Sequence, residues 1–195
     1  MITDTCFDIM KIRTYEPRDK EALRNICSKT APSFDTDKKR DALFAAYLDY
    51  YIDSEGEYCF VAVNEADIPI GYVISAPDYD RYNARFFSKE LPYSGKLFRS
   101  DTRIWLSLKA TAIFVRNLKK RYPAHLHIDI LPEGQRMGIG TALVDRLREK
   151  LRSEGIPGVF LICGAKNEKG VNFYRKYGFK EIKKLPGSII FATET

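Results

Sequence analysis

Apolar positions recur with two different periods along this chain. Ile9 to Thr14 alternates over a short span, as a strand does. Pro17 suits the first position of a helix, and Ala22, Leu23 and Ile26 give the following stretch an apolar side. Asp37 to Asp53 reads as one helix with Leu43, Ala46, Tyr47 and Tyr50 on its inner face. Glu57–Asn64 (EYCFVAVN) and Ile70–Ser75 (IGYVIS) are β-rich. The intervening Glu65–Pro69 is turn-like, which predicts an antiparallel hairpin. Asp78 to Ser100 contains Pro92 and Gly95 and reads as irregular. Ile104, Leu108, Ala112, Val115 and Leu118 then fall at helical spacing, predicting a helix over Thr102–Arg121 that Pro123 stops.

After Pro123 the order becomes strand, glycine loop, helix, strand, helix, strand, strand. Leu126, Ile128 and Ile130 alternate as a strand that ends at Pro132. Gly138 to Glu154 is strongly amphipathic, with Ile139, Leu143, Leu147 and Leu151 four apart and Gly155 as its stop. Val159 to Cys163 is an apolar run between Pro157-Gly158 and Gly164, as in a buried strand. Glu168–Tyr177 is a short helix ended by Gly178. Phe179–Lys184 and Ile189–Thr193 close the chain around Pro186-Gly187.

A length of 195 residues, 45% hydrophobic, supports a real core and excludes a disordered protein. We expect a single domain, residues 1–195. No apolar run approaches the ~18 residues of a membrane span, and the N-terminus lacks a secretory pattern, so we expect a cytoplasmic protein off the membrane. Cys6, Cys27, Cys59 and Cys163 are irregularly spaced with no C-x-x-C pair. Burial as small hydrophobes is expected, and no metal site. The net charge is +6, but residues 78–123 alone hold eleven Lys/Arg against four Asp/Glu. Whatever that segment faces is expected to be anionic. Arg116, Lys119, Lys120 and Arg121 come without a nucleic-acid-binding motif, so a solvated face is the simpler account and no nucleic acid is expected.

Gln135-Arg136-Met137-Gly138-Ile139-Gly140 lies between a strand and a helix. It is an anion cradle: the first turn of a helix has N–H groups without partners and carries the positive end of the dipole. It is neither G-x-x-x-x-G-K-[ST] nor G-x-G-x-x-G. A tight turn with packing glycines is the equally weighted alternative for these six residues alone.

The next helix changes that balance. Asn167-Glu168-Lys169-Gly170-Val171-Asn172-Phe173-Tyr174-Arg175-Lys176-Tyr177-Gly178-Phe179 follows one strand later. Here the chain resembles the GNAT acetyltransferase family. Gln135, Gly138 and Gly140 match its Q/R-x-x-G-x-G/A motif. Asn167, Phe173, Tyr174, Gly178 and Phe179 match its N-x-x-A-x-x-[LF]-Y-x-x-x-G-F motif, with Gly170 in place of alanine. Tyr122–Pro132 is similar to a branch that includes domains attached to O-GlcNAc-removing glycosidases. Some members of that branch are thought not to bind acetyl-CoA, usually where the cradle has degenerated; here it is intact.

The resemblance implies an α/β fold with a mixed, mostly antiparallel central sheet flanked by helices, and acetyl-CoA as donor. It implies that the N–H groups of Met137, Gly138, Ile139, Gly140 and Thr141 hold the pyrophosphate. The strand edge at Ile128–Ile130 pairs with the pantetheine arm as an added strand would. An N–H near Ile130 polarises the thioester carbonyl. Asn167 hydrogen-bonds the cofactor from the other side, and Arg136 and the basic helix meet the adenosine phosphates. Tyr174 matches the usual general acid. Asp129, His127 and His125 alternate on one face of their strand as candidate bases. Counting back from Gln135 puts Leu126, rather than His127, in register with the histidine of one relative. Asp129 is preferred, because a buried carboxylate beside a reaction centre can have a raised pKa. Histidines bonded inside the sheet are an equal alternative.

The reading is therefore an N-acetyltransferase acting on a primary amine in a ternary complex. A catalytically inactive module of the same fold is the alternative. Residues 77–123 fall between the third and fourth strands. With Tyr79, Tyr82, Phe86, Phe87, Tyr93, Phe98 and Trp105 they are expected to form an aromatic wall on the acceptor side, favouring an anionic amine over a polycation. The closing strands could pair or swap between subunits as a homodimer.

Overall fold

The computed structural model describes residues 11–31, 36–89 and 92–195. Cys6 and the first residues of the predicted Ile9–Thr14 strand lie outside them. In chain order the elements are β1 (Lys11–Thr14), α1 (Lys20–Thr30), α2 (Asp37–Tyr47), α3 (Asp49–Ser54), β2 (Cys59–Val63) and β3 (Pro69–Ala76). There follow α4 (Tyr79–Phe86), α5 (Pro92–Ser100), α6 (Thr102–Phe114), β4 (Ala124–Ile130) and α7 (Ile139–Ser153). The chain closes with β5 (Gly158–Gly164), α8 (Glu168–Tyr177), β6 (Lys180–Leu185) and β7 (Ser188–Glu194).

Alternation along the strands builds two cores on one sheet. Cys59, Val61, Val63, Tyr72, Ile74, Phe160 and Ile190 face helices α1 to α5. Phe60, Ala62, Val73, Leu126, Val159, Leu161 and Phe191 face α7 and α8. Side chains alternate between faces with a period of two, so a slip of one residue would exchange these sets. The strand order is β1-β2-β3-β4-β5-β7-β6, antiparallel except for β4 and β5. Those two pair only at Ala124↔Val159 and His125↔Phe160. Beyond His125 they part.

Three helical readings differ from the structure. Asp37–Asp53 is two helices broken at Leu48 (φ −137°, ψ −63°). The break lets Leu48, Tyr50, Tyr51 and Ile52 all be buried, which one helical face does not permit. Within the stretch read as irregular, Tyr79–Phe86 and Pro92–Ser100 are helices. Asp78 caps α4, its Oδ1 accepting from the N–H of Asp80 (2.8 Å) and Arg81 (3.0 Å). Pro92 opens α5 instead of breaking a segment. The helix from Thr102 ends at Phe114, not Arg121. Val115 turns into the core, and tight turns through Leu118 carry the chain to Tyr122. These turns keep helical spacing, so periodicity alone did not mark the stop.

The junction of β4 and β5 needs a very close approach at Gly158. A Cβ there would lie 2.5 Å from Tyr122 Cδ1 and 2.9 Å from the Thr193 carbonyl oxygen. Gly158→Ala is therefore expected to cost about 1–3 kcal/mol. Urea unfolding of the variant beside wild type measures this, and an unchanged midpoint would contradict the packing described.

Candidate active site

Two strand ends and two helix starts meet at the parting of β4 and β5. Leu131 N–H donates to the Ile70 carbonyl (2.9 Å), which makes the odd-numbered residues of β4 the ones bonded to β3. The N–H groups of Ile128 and Ile130 point the other way, into the gap, where β5 no longer pairs with them. The Gln135 side-chain amide donates to the Ile130 carbonyl (3.0 Å) and holds the end of the strand. Gln135 thus shapes the cradle from within.

The cradle follows directly. Gly138 has φ +80° at the N-cap of α7, a conformation that favours glycine, with open space where a Cβ would stand. Arg136 also has a positive φ, +65°. From Arg136 to Thr141, six consecutive backbone N–H groups have no acceptor among the described residues. Arg136, Met137, Gly138 and Thr141 are exposed, whereas Ile139 is buried and contributes its backbone alone. Gly140 lies against Phe173 and Ile130, locking α7 to α8 and β4.

A cavity of about 190 Å³ occupies the gap. Its walls include Asp129 and His127 from β4, Cys163 from β5, Asn167 and Tyr174 around α8, and Tyr47 from α2. Tyr174 and Asp129 stand on helices and strands from opposite faces of the sheet, and the gap brings them to one space. Burial pushes the Tyr174 hydroxyl well above its usual pKa, so it holds its proton. Asn167 caps α8, its Oδ1 accepting from the Gly170 N–H (3.0 Å). A Cβ at Gly170 would sit 2.7 Å from the Asn167 Nδ2, which accounts for glycine at that motif position.

The three alternating residues of β4 divide by environment. Burial raises Asp129 to about 6, and the hydrogen bond from Tyr72 Oη to its Oδ2 (2.6 Å) pulls the other way. Burial lowers His127 to about 4 and His125 further, so both imidazoles are neutral. His125 Nδ1 shares a 2.9 Å hydrogen bond with the Tyr51 hydroxyl, and the His127 ring is set edge-on to Tyr47 and Tyr51. His125 is a core residue; His127 reaches the cavity but is a weak base. Sequence reasoning missed Tyr72. Its β-rich run was recognised, but its pairing opposite Asp129, 57 residues away, is set by strand register.

The segment 77–123 does not form the expected wall. None of its described residues lines the cavity. Tyr79, Tyr82, Phe86 and Tyr93 are buried: the last three pack with Tyr50 or Tyr51 in edge and stacked contacts, and Tyr79 packs on Tyr82, His125 and Phe160. Arg116 to Arg121 precede β4. Seven strand residues, roughly 20 Å, separate them from the cradle end, so they are not placed beside it. Lys119 pairs with Asp80 and Arg121 with Glu194 instead.

Residues 20–179 match the model of the acetyltransferase (GNAT) family. The chain belongs to that family. Among curated relatives of this GNAT protein is an uncharacterised N-acetyltransferase of Methanocaldococcus jannaschii, 33% identical over 75 residues. That match covers 38% of this chain and about a third of the relative's length. Among solved structures, SsHAT superposes with a TM-score of 0.83 at 28% identity, covering 95% of this chain and 98% of that one. The PaiA N-acetyltransferase of Thermoplasma acidophilum, solved in complex with coenzyme A, has a TM-score of 0.61 at 16% identity, covering 95% and 99%. It shares the fold.

The Asp129 assignment can be checked directly. Carbon-detected NMR titration of its carboxyl should give an apparent pKa near 6. Tyr72→Phe removes a bond to the charged form, so the value should rise by about one unit or more. A value near 4 in wild type would contradict the buried setting.

Proposed function

We propose that this GNAT protein transfers the acetyl group of acetyl-CoA to a primary amine by direct attack in a ternary complex. One observation supports this above others: a row of six unpartnered amides stands at one end of a gap between strands, and Asp129 and Tyr174 stand in the cavity along it. The open space at Gly138 fits a phosphate approaching the amides closely.

In this reading acetyl-CoA supplies an activated thioester. The N–H groups of Met137 to Thr141 hold its pyrophosphate, with Arg136 adding charge at the exposed rim. The backbone of Ile128 and Ile130 receives the pantetheine amides, and the Ile130 N–H hydrogen-bonds the thioester carbonyl as negative charge develops on it. Asn167 offers its free side-chain N–H groups from the far wall. Asp129, ionised above its pKa, removes the proton of the incoming ammonium. Tyr174, kept protonated by burial, returns a proton to the departing thiolate. The Tyr122–Pro132 stretch, similar to the branch attached to O-GlcNAc-removing glycosidases, belongs to the same reading.

Saturating acetyl-CoA, at about 100 times its Kd, should stabilise the protein by roughly 2.7 kcal/mol, seen as a raised Tm. Gly138→Asp should abolish the shift by blocking the cradle with a charged side chain at a positive φ. Tyr174→Phe should keep the shift but slow thiol release from acetyl-CoA with an amine acceptor by about 10²-fold or more. An unshifted wild-type Tm, or full activity in Tyr174→Phe, would overturn the corresponding assignment.

A further inference from the structure

Among the described residues no Lys or Arg of the segment 78–123 lines the gap cavity, and two of them line a second concavity. A separate cleft of about 860 Å³ opens between α1, α2 and α5, within the size range of small-molecule sites. Lys96 and Arg99 reach it from α5, and Lys38 and Arg40 from α2. Lys38, Lys96 and Arg99 have no ion-pair partner among the described residues, and Arg40 pairs only with Asp37 outside the cleft (3.0 Å). The carboxylates present are mostly spoken for. Asp49 and Glu21 both bind Arg24, at 3.1 and 3.0 Å, and that guanidinium also lies over the Phe44 ring. Asp41 alone is left to face Lys38, Lys96 and Arg99.

Two helices thus aim like charges at one concavity, a repulsion that a bound anion would remove. Asn25 and Ser28 add side-chain hydrogen-bond donors from α1. The cleft is distinct from the acetyl-CoA gap: α1 and α2 present Cys27, Thr30, Leu43 and Tyr47 to the gap and other residues to the cleft.

We propose that this cleft binds a small multivalent anion of the phosphate or polycarboxylate class, separately from acetyl-CoA. Its concave, three-helix shape fits a compact ligand better than an extended nucleic-acid backbone, which needs a stripe of charge.

Inorganic tripolyphosphate is the probe, titrated calorimetrically at constant ionic strength with saturating coenzyme A present to occupy the cradle. One equivalent should bind. The double variant Lys96→Glu/Arg99→Glu should weaken the Kd by about tenfold or more. Both residues are exposed, so its fold should be intact, as far-UV circular dichroism and its coenzyme A thermal shift will check. In Gly138→Asp the binding should persist. Absence of binding to wild type would overturn the proposal. So would binding that disappears with coenzyme A or in Gly138→Asp yet survives in the double variant, since the anion would then be in the cradle. A wild type that shows no response to coenzyme A but takes tripolyphosphate, with that binding lost in the double variant and kept in Gly138→Asp, would sink the acetyl-CoA reading and leave the cleft standing.

Discussion

Two parallel strands that stay together for only two residue pairs set up everything else in this molecule. Backbone amides in a sheet are ordinarily spent on the neighbouring strand. By releasing β4 from β5 after His125, the fold leaves the Ile128 and Ile130 N–H groups unspent without opening either core. Gly158 anchors the joined end against Tyr122, and Gln135 ties off the free end through the Ile130 carbonyl. Between those fixed points the gap is held open by the scaffold.

The same parting solves a problem of faces. Strand alternation sends Asp129 and His127 to the α1–α2 side, whereas α8 packs on the other. In an unbroken sheet these groups could not meet. The gap admits Tyr174 from one face and Asp129 from the other, so a phenol and a carboxyl reach one space while each keeps its own packing: Tyr72 behind the carboxyl, and Phe179 and Phe191 around the tyrosine ring. Environment then separates groups that look alike in sequence. Three ionisable residues alternate on β4, and only Asp129 titrates in the range useful to a base near neutral pH.

What could be read from the chain follows the range of the interactions involved. The cradle, α7, β5 and α8 are written in local signals, a glycine stop here and a four-residue spacing there, and their bounds stand within a residue or two. Asp129 was reachable because alternation placed it on a strand. Tyr72 was not, since its partner is fixed by register across 57 residues. The aromatic segment misled for a related reason. Tyr79, Tyr82, Phe86 and Tyr93 have the composition of a pocket wall, and only the packing of Tyr50, Tyr51, His125 and Phe160 against them makes them core. Composition does not say which side of a helix is covered.

The raised pKa of Asp129 also has a thermodynamic side. A carboxyl that holds its proton more tightly in the native state than in the unfolded chain lends stability at acidic pH, below its unfolded pKa near 3.8. That contribution drains away as pH climbs through about 6, the interval in which the group ionises. Ionising this one buried carboxyl therefore costs stability over the interval in which it takes up its charge. A neutral residue in that place would carry no such pH-dependent cost, a local instance of the trade between robustness and a retained buried charge.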